Sequence, residues 1–275
     1  MFETLAHGYR LVEGPTADDR GGLYFSDVLG GGVYRRDASG QIETVVPKRR
    51  GVGGIALHAD GGLVVGGRDL LHVRGESSTP VFTIEGLPGW NDLCTDARGR
   101  VYAGSVGFAV FDPDAEVRPG ECWRIDAPGE AVRLYGDVVH ANGIGISPDG
   151  RTLYHSDTRQ RVLIVHDLDE GRTSGRRAFE VPGRGRPDGL ALDEEGGIWV
   201  AIADHGRIDR FLPDGRVERS LDVPARLVTS LCFAGEDRRD LIVVTGDNRE
   251  DPERRGTIFR TRVPVAGAPV HPATI

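Results

Sequence analysis

Cysteine is scarce. Cys94, Cys122 and Cys232 are the only three in 275 residues, and none forms a C-x-x-C pair. That argues against a disulfide framework and against a structural zinc site. Lysine is nearly absent: Lys48 stands alone, so almost all positive charge is arginine. The formal net charge of −8 argues against a general nucleic-acid binder and against a polybasic membrane-surface protein. No apolar run approaches membrane-spanning length, and Met1-Phe2-Glu3-Thr4 has neither a basic nor an apolar leader. The expectation is a soluble, cytoplasmic protein with no membrane or nucleic-acid partner; the oligomeric state is left open. There is no G-x-S-x-G elbow, no H-E-x-x-H, no P-loop and no dinucleotide fingerprint. No segment carries apolar residues at helical spacing over three turns.

Glycine, by contrast, is abundant at 40 residues, about twice the usual share. Its distribution belongs to a repeat. Six Asp- or Gly-containing turns are each followed by a short β-rich run whose first apolar residues are Leu23, Leu63, Val101, Leu153, Ile198 and Leu241. The spacings are 40, 38, 52, 45 and 43 residues. An apolar stretch precedes each turn, and a third strand that often ends in Arg follows, as in Val33-Tyr34-Arg35 and Ile208-Asp209-Arg210. Four short strands per repeat of this length predict an all-β, six-bladed propeller in one domain, residues 1–275. A β-sandwich is the weaker alternative, since it does not require regular self-similarity. The last repeat ends in a Pro-rich tail and lacks an outer strand. Glu3 to Ala6 is expected to supply it and so remove a free edge. The turn carboxylates, at the opposite end from the channel mouth, are expected to serve the turns.

Counting back ten or eleven residues from each second strand marks the channel mouth. The ring reads Glu13, Gly53, Asn91, Asn142, Asp188 and Ser230. Each has an ordinary explanation; Asn142-Gly143 and Asp188-Gly189 are common turn dipeptides. In equivalent positions, however, four oxygen-bearing side chains converge on one axis. Two carboxylates would repel there unless a cation neutralises them. Oxygen ligation suits a hard ion such as Ca²⁺, Mg²⁺ or Mn²⁺, with Zn²⁺ kept as a further candidate.

The same residues carry a resemblance. Glu13-Gly14-Pro15, Asn91-Asp92-Leu93, Asn142-Gly143-Ile144 with Ser147-Pro148-Asp149-Gly150, and Pro187-Asp188-Gly189-Leu190 resemble the gluconolactonase/regucalcin (senescence marker protein) family of six-bladed propellers over nearly the whole chain. The resemblance implies lactone hydrolysis with one divalent cation. It implies that Glu13, Asn142 and Asp188 are metal ligands and that Asn91 holds substrate near the metal. One departure stands out. Sugar-lactonase members can carry an Arg two residues before this Asn, and an acid after the following strand. Here the first position is Gly89, and no convincing acid matches the second, near Phe108-Ala109.

The implied chemistry is attack of water on a lactone carbonyl, with Asp188 as the catalytic base. His140, two residues before Asn142, is an alternative base or substrate contact; its bland alternative is a structural histidine in an outer strand. Asp204 and His205 fall on the site face, where they either line the mouth or are simply solvated. The surplus length of the third repeat falls at Val106 to Glu121, on the face of Asn91. Phe108 and Phe111 there are expected to overhang the site and help select the lactone. The competing function is a non-catalytic, metal-containing propeller that binds a small molecule or a protein. A strictosidine-synthase-like propeller lacks its expected acid in the fourth blade.

Overall fold

A computed structural model describes residues 1–275. It contains 24 strands and two single-turn 3₁₀ segments, Pro182–Arg184 and Pro252–Arg254. The strands form six four-stranded antiparallel sheets, arranged in a ring as a six-bladed β-propeller. The inner strands of blades 1 to 6 are Val12–Ala17, Ile55–Leu57, Gly89–Thr95, Ala141–Ile146, Pro187–Leu192 and Val228–Ala234. No helix is long and apolar enough to cross a membrane.

Burial explains the sequence patterns strand by strand. Second strands are covered on both faces by neighbouring blades, so their alternation disappears. Val101–Val106 and Ile198–Ile202 are buried at every position. Outer strands keep a wet face and alternate, as in Val217–Asp222. Between the blades sit large buried side chains such as Phe25, Trp90, Trp199, Phe211 and Phe259. Each contributes roughly 1.5–3 kcal/mol by leaving water.

The turn aspartates do serve the turns. Asp193 is fully buried; its Oδ1 accepts from the Glu195 and Gly197 amides, and its Oδ2 from Trp199 Nε1 and Arg210 Nε. Asp96 does the same with the Arg98 and Arg100 amides, Arg100 Nε and Tyr102 Oη. In blades 1 and 5 the recurrent third-strand arginine reaches the turn aspartate, Arg35 to Asp18 and Arg210 to Asp193.

The ring closes as expected. Blade 6 consists of Val228–Ala234, Asp240–Thr245, Gly256–Arg262 and the N-terminal strand Glu3–Tyr9. Glu3 pairs with Arg260 and Tyr9 with Gly256. Phe2 packs edge-on against buried Phe259.

The C-terminal tail then runs across the end of the channel away from the mouth. Ala266 O accepts from the Glu194 amide and Ala268 N–H donates to Leu192 O, both in blade 5. Farther along, Ala273 exchanges backbone hydrogen bonds with Leu57 and Ala59 of blade 2, and Thr274 N–H reaches Gly99 O of blade 3. Ala268, Pro269 and Val270 line the lower end of an axial cavity of about 160 Å³ whose other walls are inner-strand residues.

Deleting residues 1–8 removes the closing strand, bares the edge of Gly256–Arg262 and uncovers Phe259. The expected outcome is a melting temperature lower by at least about 5 °C and faster aggregation. Scanning calorimetry of the truncated and full chains checks this, and coincident transitions would show that the closure contributes nothing.

Candidate functional site

The mouth residues are aimed by a shared irregularity. In five of the six inner strands the pairing with the second strand slips at the mouth: between Glu13 and Thr16, Trp90 and Leu93, Ala141 and Ile144, Pro187 and Leu190, and Val228 and Ser230. A bulge bends the strand and re-aims consecutive side chains. Here Asn91, Asn142 and Asp188 fall within the slipped segments, and Glu13 and Ser230 are the paired residues at their edges. Blade 2 contributes no side chain, because Gly53 stands in that position. A Cβ on Gly53 would lie 2.0 Å from Asn91 Oδ1, and one on Gly189 2.0 Å from Ser230 Oγ.

Both amides are oriented. Asn91 Nδ2 donates to Ala141 O at 2.8 Å. Asn142 Nδ2 donates to Thr158 Oγ1 at 3.1 Å, and that hydroxyl donates onward to Pro187 O at 2.8 Å. Each amide therefore keeps its carbonyl oxygen free. Asn142 and Asp188 are buried, whereas Glu13 and Asn91 are partly open.

Electrostatically the site is one-sided. Burial, then the charges of Asp188 and Asp92, push the Glu13 carboxyl well above the usual carboxylate range; the Gly14 amide offsets only part of this. Burial and the Asp92 charge do the same to Asp188 against the Gly189 amide. Neither carboxyl is held down by a basic side chain. Asp188 Oδ1 is buried with no hydrogen-bond partner. A buried acceptor left bare costs about 1–3 kcal/mol, more when charged. Two crowded carboxylates, one of them with an orphaned oxygen, and two free amide oxygens are a donor set that fits a hard divalent cation. No cluster of three or more His, Cys, Asp or Glu side chains suited to a metal exists in the chain. Any cation here would lean on amide oxygens and water as well as Glu13 and Asp188.

Asp92 is the residue that counting along the chain missed. Its carboxylate accepts from its neighbour, the Leu93 amide, at 2.8 Å. Burial raises it to about 7, against the lowering effect of the Leu93 and Ile144 amides. It stands at the upper end of the axial cavity, beside Gly54. The count takes one residue per blade, but a bulge exposes two in succession. An acid directly after Asn91 was the available signal.

His140 lies in the two-residue connection that enters blade 4, not in an outer strand. Burial, then the charge of Arg159, hold it down to about 4 against the pull of Asp157, with Arg186 adding to the depression. It is neutral at ordinary pH and a poor proton acceptor. Phe108 is 4% exposed and packs edge-on against it, ring centres 5.8 Å apart. The long excursion is shorter than the sequence reading, residues 107–119, because the flanking strands extend to Val106 and begin at Gly120. Its base is pinched: a Cβ on Gly107 would meet Arg118 O at 2.4 Å. Phe108 turns inward, whereas Phe111 is 60% exposed. Asp204 is engaged with His205 Nδ1 and the Arg186 amide.

Fold and site together define a six-bladed propeller with an acidic, oxygen-lined channel mouth. The SMP-30/gluconolactonase/LRE-like region family matches residues 11–247, and the chain belongs to that family. It is 35% identical over 265 residues to a 6-deoxy-6-sulfogluconolactonase of Pseudomonas putida, covering 89% of this chain and 88% of that one. It is 28% identical over 280 residues to a pentonolactonase of Haloferax volcanii, covering 94% and 93%. The crystal structure of a calcium-binding protein, regucalcin, from Agrobacterium tumefaciens superposes with a TM-score of 0.84 at 25% identity, covering 99% of this chain and 96% of that one.

The crowding of carboxylates sets a stability test. A carboxyl raised by folding holds a proton that the unfolded chain releases. Stability is therefore lost as pH rises from the ordinary carboxylate range through about 7, the value for Asp92. In chelator, Asp188→Asn is expected to stabilise the protein at pH 8, because it removes a buried charge that burial and Asp92 disfavour. That advantage should shrink toward pH 5. Urea titrations of both proteins across this range check it, and a constant difference would contradict the electrostatic account.

Proposed function

We propose that this protein is a divalent-cation-dependent hydrolase that opens a small sugar lactone or a related cyclic ester. The observation that carries the reading is the bare, buried Asp188 Oδ1 beside Glu13, with no basic side chain to neutralise either. The sugar lactones named for the two sequence relatives support the substrate class. The regucalcin described as calcium-binding supports the cation.

Glu13, Asn142 and Asp188 would hold the ion, and oxygen donors favour Ca²⁺, Mg²⁺ or Mn²⁺ over Zn²⁺. When bound, it polarises the lactone carbonyl and stabilises the oxyanion formed on attack. The protein's own groups do the rest. Asn91, fixed through Nδ2, presents Oδ1 to a substrate hydroxyl. The Asp188 carboxylate would also take a proton from the attacking water. Neutral His140 and buried Phe108 form part of the rim against which the substrate ring packs. The acyl C–O bond breaks, and the ring oxygen leaves as the hydroxyl of an open-chain hydroxy acid.

The decisive experiment is a screen of aldonolactones with purified protein, metal-stripped and then reloaded with single divalent ions. Hydrolysis lost in chelator and restored by one ion is the expected outcome. Asp188→Ala should lower kcat/KM by more than about a hundredfold, and Glu13→Gln should weaken cation affinity in calorimetry. Retained cation binding with no lactone opened would instead favour the non-catalytic binding propeller. Full metal affinity in both variants would show that the ion is held elsewhere.

A further inference from the structure

The rim of the site carries an arginine with nothing to neutralise it. Arg159 follows Thr158, whose hydroxyl holds Asn142 and Pro187 O. Its guanidinium lies over the face of Phe108, Cζ 4.9 Å from the ring centre. An aromatic face attracts a cation and fixes its position while leaving its N–H donors free. Phe108 is in turn buried against His140, so the platform under the arginine is rigid.

The nearby acids are already engaged. Asp157 accepts from the Val139 and Gln160 amides, from Gln160 Nε2 and, at 3.2 Å, from the His140 amide. Asp204 serves Arg186 and His205, with Arg186 Nε at 3.7 Å. Arg159 forms no ion pair with either. Through Phe108 it stands next to His140, which sits two residues from Asn142. A centre built of carboxylates thus has a cationic edge, held out from the axis by one aromatic layer.

We propose that the substrate carries an anionic group, a carboxylate, sulfonate or phosphate, at the end remote from its lactone carbonyl, and that Arg159 binds it. This rests on the lactonase reading given above. It also gives a physical reason for the empty polar positions at Gly89 and near Phe108-Ala109. A substrate anchored by its charged end needs fewer hydroxyl contacts in the middle. The site carboxylates would repel such a group from the axis, and Arg159 would hold it at the rim, so charges of opposite sign fix the direction in which the lactone enters.

Two readouts test this on the cation-loaded, full-length protein at low ionic strength. The first compares D-glucaro-1,4-lactone, which bears a free carboxylate, with neutral D-galactono-1,4-lactone. The charged-to-neutral ratio of kcat/KM should favour the charged lactone in the wild type. It should fall by roughly tenfold or more in Arg159→Ala and Arg159→Glu, as expected for a lost charge-assisted hydrogen bond, and largely survive in Arg159→Lys. The second readout is independent of turnover: 6-phosphogluconate should bind more tightly than gluconate in calorimetry, and Arg159→Glu should erase the difference. A ratio unchanged in Arg159→Glu, or equal losses for both lactones, overturns the proposal. If no lactone is opened but 6-phosphogluconate still binds through Arg159, the lactonase reading fails and the anion site stands. Hydrolysis without any charge preference overturns the anion site and leaves the lactonase reading in place.

Discussion

Six inner strands must fit around one axis, and that crowding governs the rest of the molecule. Where the strands begin, their backbones approach so closely that any side chain on the wrong residue collides. Gly53 and Gly189 have no room for a Cβ, and Gly143 would place one 2.5 Å from Asp188 O. The side chains that do remain face one another across the mouth. Because they are carboxylates and amides, the crowding becomes electrostatic. The same geometry that makes the ring compact raises Glu13, Asp188 and Asp92 together. The protein spends stability at this point, as functional sites commonly do.

Much of this was legible in the chain. Six copies of a turn followed by a β-rich run fixed the number of blades, since each copy is one supersecondary unit with faces that only its neighbours can cover. The short last repeat pointed to the N-terminal strand, and Glu3–Tyr9 takes that place. Equivalent positions in the repeat led to Glu13, Asn91, Asn142 and Asp188, because propeller geometry turns repeat register into proximity.

What was not legible depended on local backbone irregularity and on contacts between repeats. A count along a regular strand cannot show a bulge, so Asp92 was passed over beside Asn91. Two residues suffice to pass from blade 3 to blade 4, so the chain alone left open whether His140 meets the site or belongs to an outer strand. The pairing of Phe108 with His140 and Arg159 joins the long excursion of blade 3 to two connections of blade 4. Nothing in either segment alone announces the other. The tail was visible only as a Pro-rich ending without strand pattern.

That tail has a mechanical meaning. A ring of wedges deforms most easily by becoming oval, with one diameter lengthening as another shortens. Blades 2 and 5 stand opposite each other, and the tail is bonded to both, at Leu57 and Ala59 on one side and Leu192 and Glu194 on the other. It is a chord across the circle, and it sets one diameter. The inner strand anchored at Leu192 is the one that carries Asp188 at its other end, and the strand anchored at Leu57 is preceded by Gly53, where the wall of the mouth has no side chain. The chain that follows Arg262 thereby ties together, beneath the ring, two inner strands that face each other across the opening above it.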